Sequence, residues 1–344
     1  MPAFNTLPIS TTFAANSTTA MKNSLQAIKQ PIEQELDRFE QHFREAMHSH
    51  VPLLDRIMYY IVRRKGKQVR PMFVFLSAKV CGNTSDATYV AASLVELLHT
   101  ATLVHDDVVD DSYERRGFFS INALWKNKVA VLVGDYLLAQ GLLLALKKKE
   151  FRLLEILSDS VKAMSEGELL QLEKARGLDI SEGIYFDVIR QKTASLIAAA
   201  CSAGASSVSK DEDAIERMRL FGEHIGIAFQ IKDDLFDFGA GDVGKPLGID
   251  IQEKKLTLPL IYALRQAPKS DKRHIISLVK NHHANPEKVQ EVIEFVHRSG
   301  GLDYARDIME QYSSAAFGIL HTFPESEARH ALEELVLFVT QRKK

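Results

Sequence analysis

Residues 93–117 read SLVELLHTATLVHDDVVDDSYERRG, an apolar run at helical spacing that ends in four aspartates and a glutamate and then in paired arginines. On a helix, Asp106 and Asp110 are four residues apart and share one face, with Asp107 beside them and His99 two turns back on nearly the same stripe. Like charges at that spacing cost a helix roughly 0.2–0.5 kcal/mol per pair, and the negative end of the helix dipole disfavours them further. A run of this kind therefore calls for a counter-charge from outside the helix.

The pattern occurs twice. KDDLFDFGAGD, residues 232–242, again sets DDxxD at the end of an apolar helix, with Asp233 and Asp237 on one face, Asp234 between them and Gln230 one turn earlier. A single acidic helix end reads as a solvated surface. Two copies, each behind a long apolar helix, read instead as a site for hard divalent cations. Mg²⁺ takes oxygen ligands, keeps its waters and is held by one or two carboxylates together with substrate phosphates. An EF-hand is excluded, because neither run has the alternating oxygen ligands, central glycine and terminal glutamate of that loop.

Elsewhere the apolar residues also recur at helical spacing, as in IEQELDRFEQHFREAM, LLEILSDSVKAMSEGELLQLE and IERMRLFGEHIGIAFQIKDD, while alternating strand patterns are scarce. The chain is expected to be all-α. No Pro, Gly or Ser-rich linker divides it, and breaks such as FGAGDVGKPLG and HANPEK are loop-sized, so residues 21–344 are expected to form one domain. Residues 1–20 carry no charge and lack the features of a signal or transit peptide; they read as a disordered tail, with Met21 a candidate start. VAVLVGDYLLAQGLLLAL, residues 129–146, contains Asp135, which would cost roughly 2.5–3.5 kcal/mol near the middle of a membrane. That segment is read as a buried helix of a large bundle and as a candidate dimer contact, not as a membrane span. The last eighty residues read as packing elements.

Composition sets the remaining limits. With 46% hydrophobic and 26% charged residues the chain is that of an ordinary globular protein, and a net charge of −2 gives no case for nucleic acid or an anionic membrane as partner. Cys81 and Cys201 lie far apart without metal-ligand spacing, which fits a reducing, cytoplasmic setting. Any anionic ligand must be met by local cations. GKQVRP supplies Lys67 and Arg70, ERRG supplies Arg115 and Arg116, QKTA supplies Lys192 with Thr193, and the segment 245–255 supplies Lys245 and Lys255. Arginine's planar fork suits phosphate oxygens and lysine acts as a point charge.

Taken together and in this order, GKQVRP, LLHTATLVHDDVVDDSYERRG, QKTA and FQIKDDLFDFGAGDVGKPLGIDI resemble the motifs of the trans-prenyl diphosphate synthases, over about residues 60–260. The resemblance implies an isoprenoid-synthase bundle of about ten or more helices around a deep central cavity. It implies about three Mg²⁺ ions, with Asp106, Asp110 and Asp233 as direct ligands and Asp107, Asp234 and Asp237 in support. Arg115, Lys192, Lys245 and Lys255 would hold an allylic diphosphate, and Lys67, Arg70, His99 and Arg116 isopentenyl diphosphate. Thr193 and Gln230 would face the reacting cation or orient the leaving group. Lys254 departs from the family, which often has glycine there; the ligand role is carried to Lys255. A homodimer is the family habit.

Product length is expected to be set below the first motif. Residues five and four before Asp106, Ala101 and Thr102, lie roughly 6–7.5 Å down the helix. Short-chain relatives commonly block this level with an aromatic ring, so two small residues imply a long product of about six to nine isoprene units, centred on about eight, for a quinone side chain. The alternatives are a short-chain synthase, a terpene cyclase and an inactive subunit of a heteromeric synthase. Lys67, Arg70 and the doubled motif argue against a cyclase, and the intact motifs argue against a silent subunit.

Overall fold

The computed structural model describes residues 25–63, 66, 68–115, 117–177, 181–239 and 247–340. Residues 1–20, Lys67, Arg116 and Lys245 lie outside them, and Arg115 is described in its backbone alone. The described elements are helical, as expected, apart from one two-residue ladder. In chain order the helices are α1 (Glu33–Ala46), α2 (Pro52–Arg63), α3 (Val69–Cys81), α4 (Asp86–Val109), α5 (Ile121–Lys148), α6 (Phe151–Gly177), α7 (Glu182–Ile189), α8 (Ser195–Ser206), α9 (Glu212–Asp237), α10 (Ile249–Gln252), α11 (Leu258–Gln266), α12 (Lys269–Asn281), α13 (Pro286–Arg298), α14 (Gly301–Leu320) and α15 (Glu327–Thr340). The ladder pairs β1 (Glu114–Arg115) with β2 (Phe118–Phe119), antiparallel, with Glu114 opposite Phe119. It turns the chain directly after the first acidic motif.

Two helices form the centre because they are apolar on nearly every face. Along α4, Ala91, Leu94, Val95, Leu97, Leu98 and Ala101 are all buried, and α8 is buried from Leu196 to Ala205. Each fully buried Leu or Ile contributes about 1.5–3 kcal/mol relative to exposure. Around this pair pack α3, α5, α6 and α9. A second apolar cluster joins α7 and the C-terminal half of α9 to α11–α14. In the C-terminal part of the chain α14 lies along α9 and α15 packs against α3.

Local chemistry fixes the ends of the two motif helices. At the start of α4, the Thr88 hydroxyl accepts from the Ser85 backbone N–H at 3.0 Å, half of a capping box. At the start of α9, Asp211 accepts from the Asp213 N–H at 3.1 Å. Asp111 (φ 47°) and Gly239 (φ 79°) turn the chain away just beyond the two acidic runs. Both motifs therefore occupy helix C-termini, as the sequence implies.

One expectation is corrected. The apolar run of α5 is not an interior helix: about a third of its most apolar window is buried, against 72% for α4, and Leu132 is 67% exposed. Both helices are long and apolar enough to cross a membrane by length and composition alone. The exposed row Val131, Leu132, Leu142, Leu143 and Leu146 leaves α5 with an uncovered apolar face.

Between α7 and α8 the helix widens into one turn of π-helix, Arg190–Ala194, which carries the QKTA motif. Glycines make room for it. A Cβ placed on Gly226 of α9 would lie 2.5 Å from the Ala194 Cα, and one on Gly167 of α6 would lie 2.8 Å from the Lys192 backbone nitrogen. Gly226→Ala is expected to push the π turn off α9, costing about 1–3 kcal/mol of stability by overpacking and lowering turnover about tenfold or more. Thermal melts and steady-state assays of the purified variant check this; wild-type stability with wild-type turnover would contradict it.

Candidate active site

The π turn and the second acidic motif close on one cavity of about 110 Å³, lined among others by Lys192, Thr193, Gln230, Asp234 and Lys255. The Thr193 hydroxyl donates to Gln230 Oε1 at 2.8 Å, and Gln230 Nε2 donates to Asp234 Oδ1 at 3.0 Å. Tyr185 donates to Asp234 Oδ2 at 2.6 Å. A relay of hydrogen bonds therefore runs from α7 through Asp234 to the QKTA motif. Lys192 Nζ lies 2.5 Å from Glu168 and 3.1 Å from Gln171, both on α6. Asp237 accepts backbone N–H groups of Ile249 and Asp250 at 2.7 and 3.1 Å, which pins the start of α10 to the motif.

Electrostatics shows what this arrangement lacks. Burial, and then the neighbouring Asp250 carboxylate, push Asp234 up to about 8 against the hydrogen bonds from Tyr185 and Gln230. Burial, and then Asp237, push Asp250 up to about 6. The two lysines of the cavity are already engaged, Lys192 by Glu168 and Lys255 by Glu253 at 2.5 Å. Thr257, 6% exposed, also lines the cavity, and its hydroxyl has no hydrogen-bond partner. Excess carboxylate and an orphaned hydroxyl fit a bound cation with an oxygen-rich ligand. Among the described residues no three His, Cys, Asp or Glu side chains converge to hold an ion alone.

Lys255 feels the charges of carboxylates in and beside α10 and of Asp110 in the first motif. Burial disfavours its charge, but the hydrogen bond that Lys255 donates to Glu253 and the charges of Glu253, Asp250 and Asp110 outweigh burial and raise its pKa. Asp110 is exposed at the end of α4, Asp106 is half-buried, and Asp107 is buried at 4%. The Asp107 backbone carbonyl accepts from Ser112 N–H and from Asn122 Nδ2, so this residue ties the motif to the start of α5. Asp233 is half-buried beside Asp234. His99 is buried, and its carbonyl accepts from Thr102 Oγ1 at 2.9 Å. Ala101 is fully buried in the main core, and Arg70 sits in the first turn of α3. Of the expected residues, Lys192, Thr193, Gln230, Asp234 and Lys255 thus line one cavity.

Lys254 adopts φ 60°, the left-handed region where glycine is at ease, and it does not line the cavity, whereas Lys255 does. The departure from the family pattern is therefore a backbone matter. Sequence reasoning missed Tyr185, Asp250 and Thr257. Asp250 had a signal, since it is an apolar-flanked carboxylate in GIDIQ five residues before Lys255; Tyr185 and Thr257 had none.

The chain resembles known proteins over most of its length. A profile of the Polyprenyl synthetase family matches residues 51–296. The octaprenyl diphosphate synthase of Escherichia coli (strain K12) is 35% identical over 302 residues, covering 87% of this chain and 93% of that protein. The structure of a polyprenyl synthase from Caulobacter crescentus CB15, complexed with calcium and isoprenyl diphosphate, superposes with TM-score 0.85 at 33% identity, covering 93% of this chain and 98% of that one. A geranylgeranyl pyrophosphate synthase from Bacteroides thetaiotaomicron is similar at 41% identity and TM-score 0.79, covering 93% of this chain and the whole of that one. The fold and the paired motifs define an isoprenoid-synthase bundle with a prenyltransferase site. The chain belongs to the polyprenyl synthetase family and is a trans-prenyltransferase.

The buried Asp234 carries a pH signature. Its folded pKa lies above the unfolded value of about 3.9, so the native state holds a proton that the unfolded chain gives up. Stability from this group is fully present below about pH 4 and falls as pH rises toward about 8. Asp234→Asn removes that slope. It is expected to melt higher than the parent at pH 8, with the gain shrinking toward pH 5, while turnover falls about tenfold or more. Equal melting temperatures at pH 8 would contradict the burial argument.

Proposed function

We propose that the chain elongates an allylic diphosphate with successive isopentenyl diphosphates into a long all-trans polyprenyl diphosphate of about eight isoprene units, for a quinone side chain. The observation that carries this reading is the joining of Lys192, Thr193, Gln230, Asp234 and Lys255 in one cavity. Asp106, Asp110 and Asp233 are the proposed direct ligands of about three Mg²⁺ ions, supported by Asp107, Asp234 and Asp237. The Caulobacter relative's calcium and isoprenyl diphosphate support a divalent metal shared with a diphosphate. When bound, such ions neutralise the diphosphate as it departs.

The remaining chemistry belongs to the chain's own groups. Lys192 and Lys255, with Arg115 and Lys245, hold the allylic diphosphate, and Lys192 and Lys255 must first be drawn from Glu168 and Glu253. Thr193 and Gln230, locked by their mutual hydrogen bond, present oxygens toward the site of charge development. Thr257 offers its unused hydroxyl. Lys67, Arg70, His99 and Arg116 are assigned to isopentenyl diphosphate. The apolar core beneath, from Ala101 downward, excludes water from the growing cation.

We assign residues 21–344 to one domain, acting as a cytoplasmic homodimer. The free thiols of Cys81 and Cys201 support a reducing compartment, and the uncovered apolar face of α5 supports a partner subunit. The short-chain alternative is kept in view by the similar geranylgeranyl synthase, and product analysis separates the two. Purified protein, Mg²⁺, farnesyl diphosphate and labelled isopentenyl diphosphate are expected to give a ladder ending at one chain of about eight units. A ladder ending at about three or four units would overturn the long-chain reading. Ala101→Phe is expected to shorten the product to about three or four units while adding about 1–3 kcal/mol of core strain; an unchanged product distribution would show that another residue sets the floor.

A further inference from the structure

The first acidic motif leans on a neutral side chain outside it. Helix α4 ends at Val109, and the carbonyls of its last turn have no partners within the helix. The Asp107 carbonyl finds two beyond it, the Ser112 N–H at 2.9 Å and Nδ2 of Asn122 at 3.0 Å. Asn122 lies in the first turn of α5 and is 4% exposed. Its Oδ1 meets no hydrogen-bond donor among the described residues, so the amide is oriented by the bond it makes to the motif. A buried acceptor left unpaired lowers stability, which marks a residue kept for its donor. The segment that carries Asn122 is pinned at both ends. Asp111 has φ 47°, and Lys126, inside α5, has φ 73° and ψ 159°, where essentially only glycine is at ease. Between them Ser120 donates its N–H to the Tyr113 carbonyl at 3.0 Å and its hydroxyl to the Ser112 carbonyl at 2.7 Å. Tyr60 of α2 donates to the Phe119 carbonyl at 2.5 Å and packs edge-on against Trp125 at 5.2 Å. Strained backbone persists only where its surroundings over-determine it. Here they fix the short turn that aims Asn122 at Asp107.

A neutral donor at this place solves a specific problem. Asp106 and Asp110 stand one turn apart at the negative end of α4 with Asp107 between them, and unwinding the last turn would relieve their repulsion. A lysine or arginine could satisfy the same carbonyl, but its charge would pair with the carboxylates and compete with any cation they hold. A buried amide carries no charge, so it holds the turn and leaves the carboxylates unneutralised. We propose that Asn122 is a positioning residue for the first motif: through the Asp107 carbonyl it keeps the last turn of α4 wound, so that Asp106 and Asp110 keep the spacing that a shared cation requires. The positioning stands on this geometry alone; its bearing on the cation rests on the proposed diphosphate site.

The test is hydrogen exchange of the full chain without metal or substrates, read over residues 106–113, together with titration of Mg²⁺ into the protein and inorganic pyrophosphate. Asn122→Leu keeps the side chain's volume and removes both its donor and its unpaired acceptor, so it is expected to melt close to the parent. It is expected to exchange about fivefold or more faster over residues 106–113, with no change over residues 230–237 in the second motif. It is also expected to need about fivefold or more Mg²⁺ to half-saturate pyrophosphate binding, with turnover at saturating Mg²⁺ within about twofold of the parent. Asn122→Ala, which brings in no branched chain, is the second variant and is expected to show the same two shifts. Exchange over residues 106–113 equal to the parent's in both variants would overturn the positioning. Faster exchange there with an unmoved Mg²⁺ requirement would overturn its bearing on the cation, and faster exchange in both motifs with a lowered melting temperature would reduce Asn122 to a stability residue. The exchange measurement contains no ligand, so its result is independent of the diphosphate reading.

Discussion

The constraint on which the rest of the structure depends is the crowding of carboxylates at the mouth of one bundle. Asp233, Asp234, Asp237 and Asp250 lie within a short stretch of chain, and the charge of Asp110 is felt at Lys255. Among the described residues the two lysines of the cavity are paired with glutamates, and burial with the neighbouring Asp250 raises the pKa of Asp234 to about 8. A fold that retains such a cluster trades stability for a site that becomes balanced when cations and a diphosphate arrive together.

The architecture serves that cluster. Helices α4 and α8 are apolar nearly all round, so they fill the centre and fix the direction of the helices beside them. Both acidic runs fall at C-termini, where a turn can bring them toward one opening. Gly226 and Gly167 let α9 and α6 approach the π turn, and this approach places Thr193 within hydrogen-bond reach of Gln230.

Much of this was legible in the sequence, and the reasons are physical. Helical periodicity gave the all-α architecture, and the four-residue spacing of paired aspartates gave the faces that carry the motifs. QKTA marked Lys192 and Thr193 by residue type, although nothing in the sequence marks the π turn that presents them. The sequence could not show that α5 would stand with an apolar face uncovered, since an interior helix and an interface helix have the same composition. Tyr185 and Thr257 were invisible for a related reason: their role comes from where their hydroxyls end up, and their local pattern is that of ordinary packing. Lys254 is the converse case. A residue unlike the family's glycine drew notice, and the backbone shows that the position asks for a left-handed conformation, not for a charge.

The account's central claim is that the two acidic motifs and the π turn form one site for a diphosphate shared with divalent cations. Its most direct measurement is calorimetric titration of inorganic pyrophosphate into the protein with and without Mg²⁺. The account predicts tight binding that requires Mg²⁺ and is lost when either Asp106 or Asp233 is replaced by Asn. Pyrophosphate binding that is equally tight without Mg²⁺, or that survives loss of either motif, would contradict it.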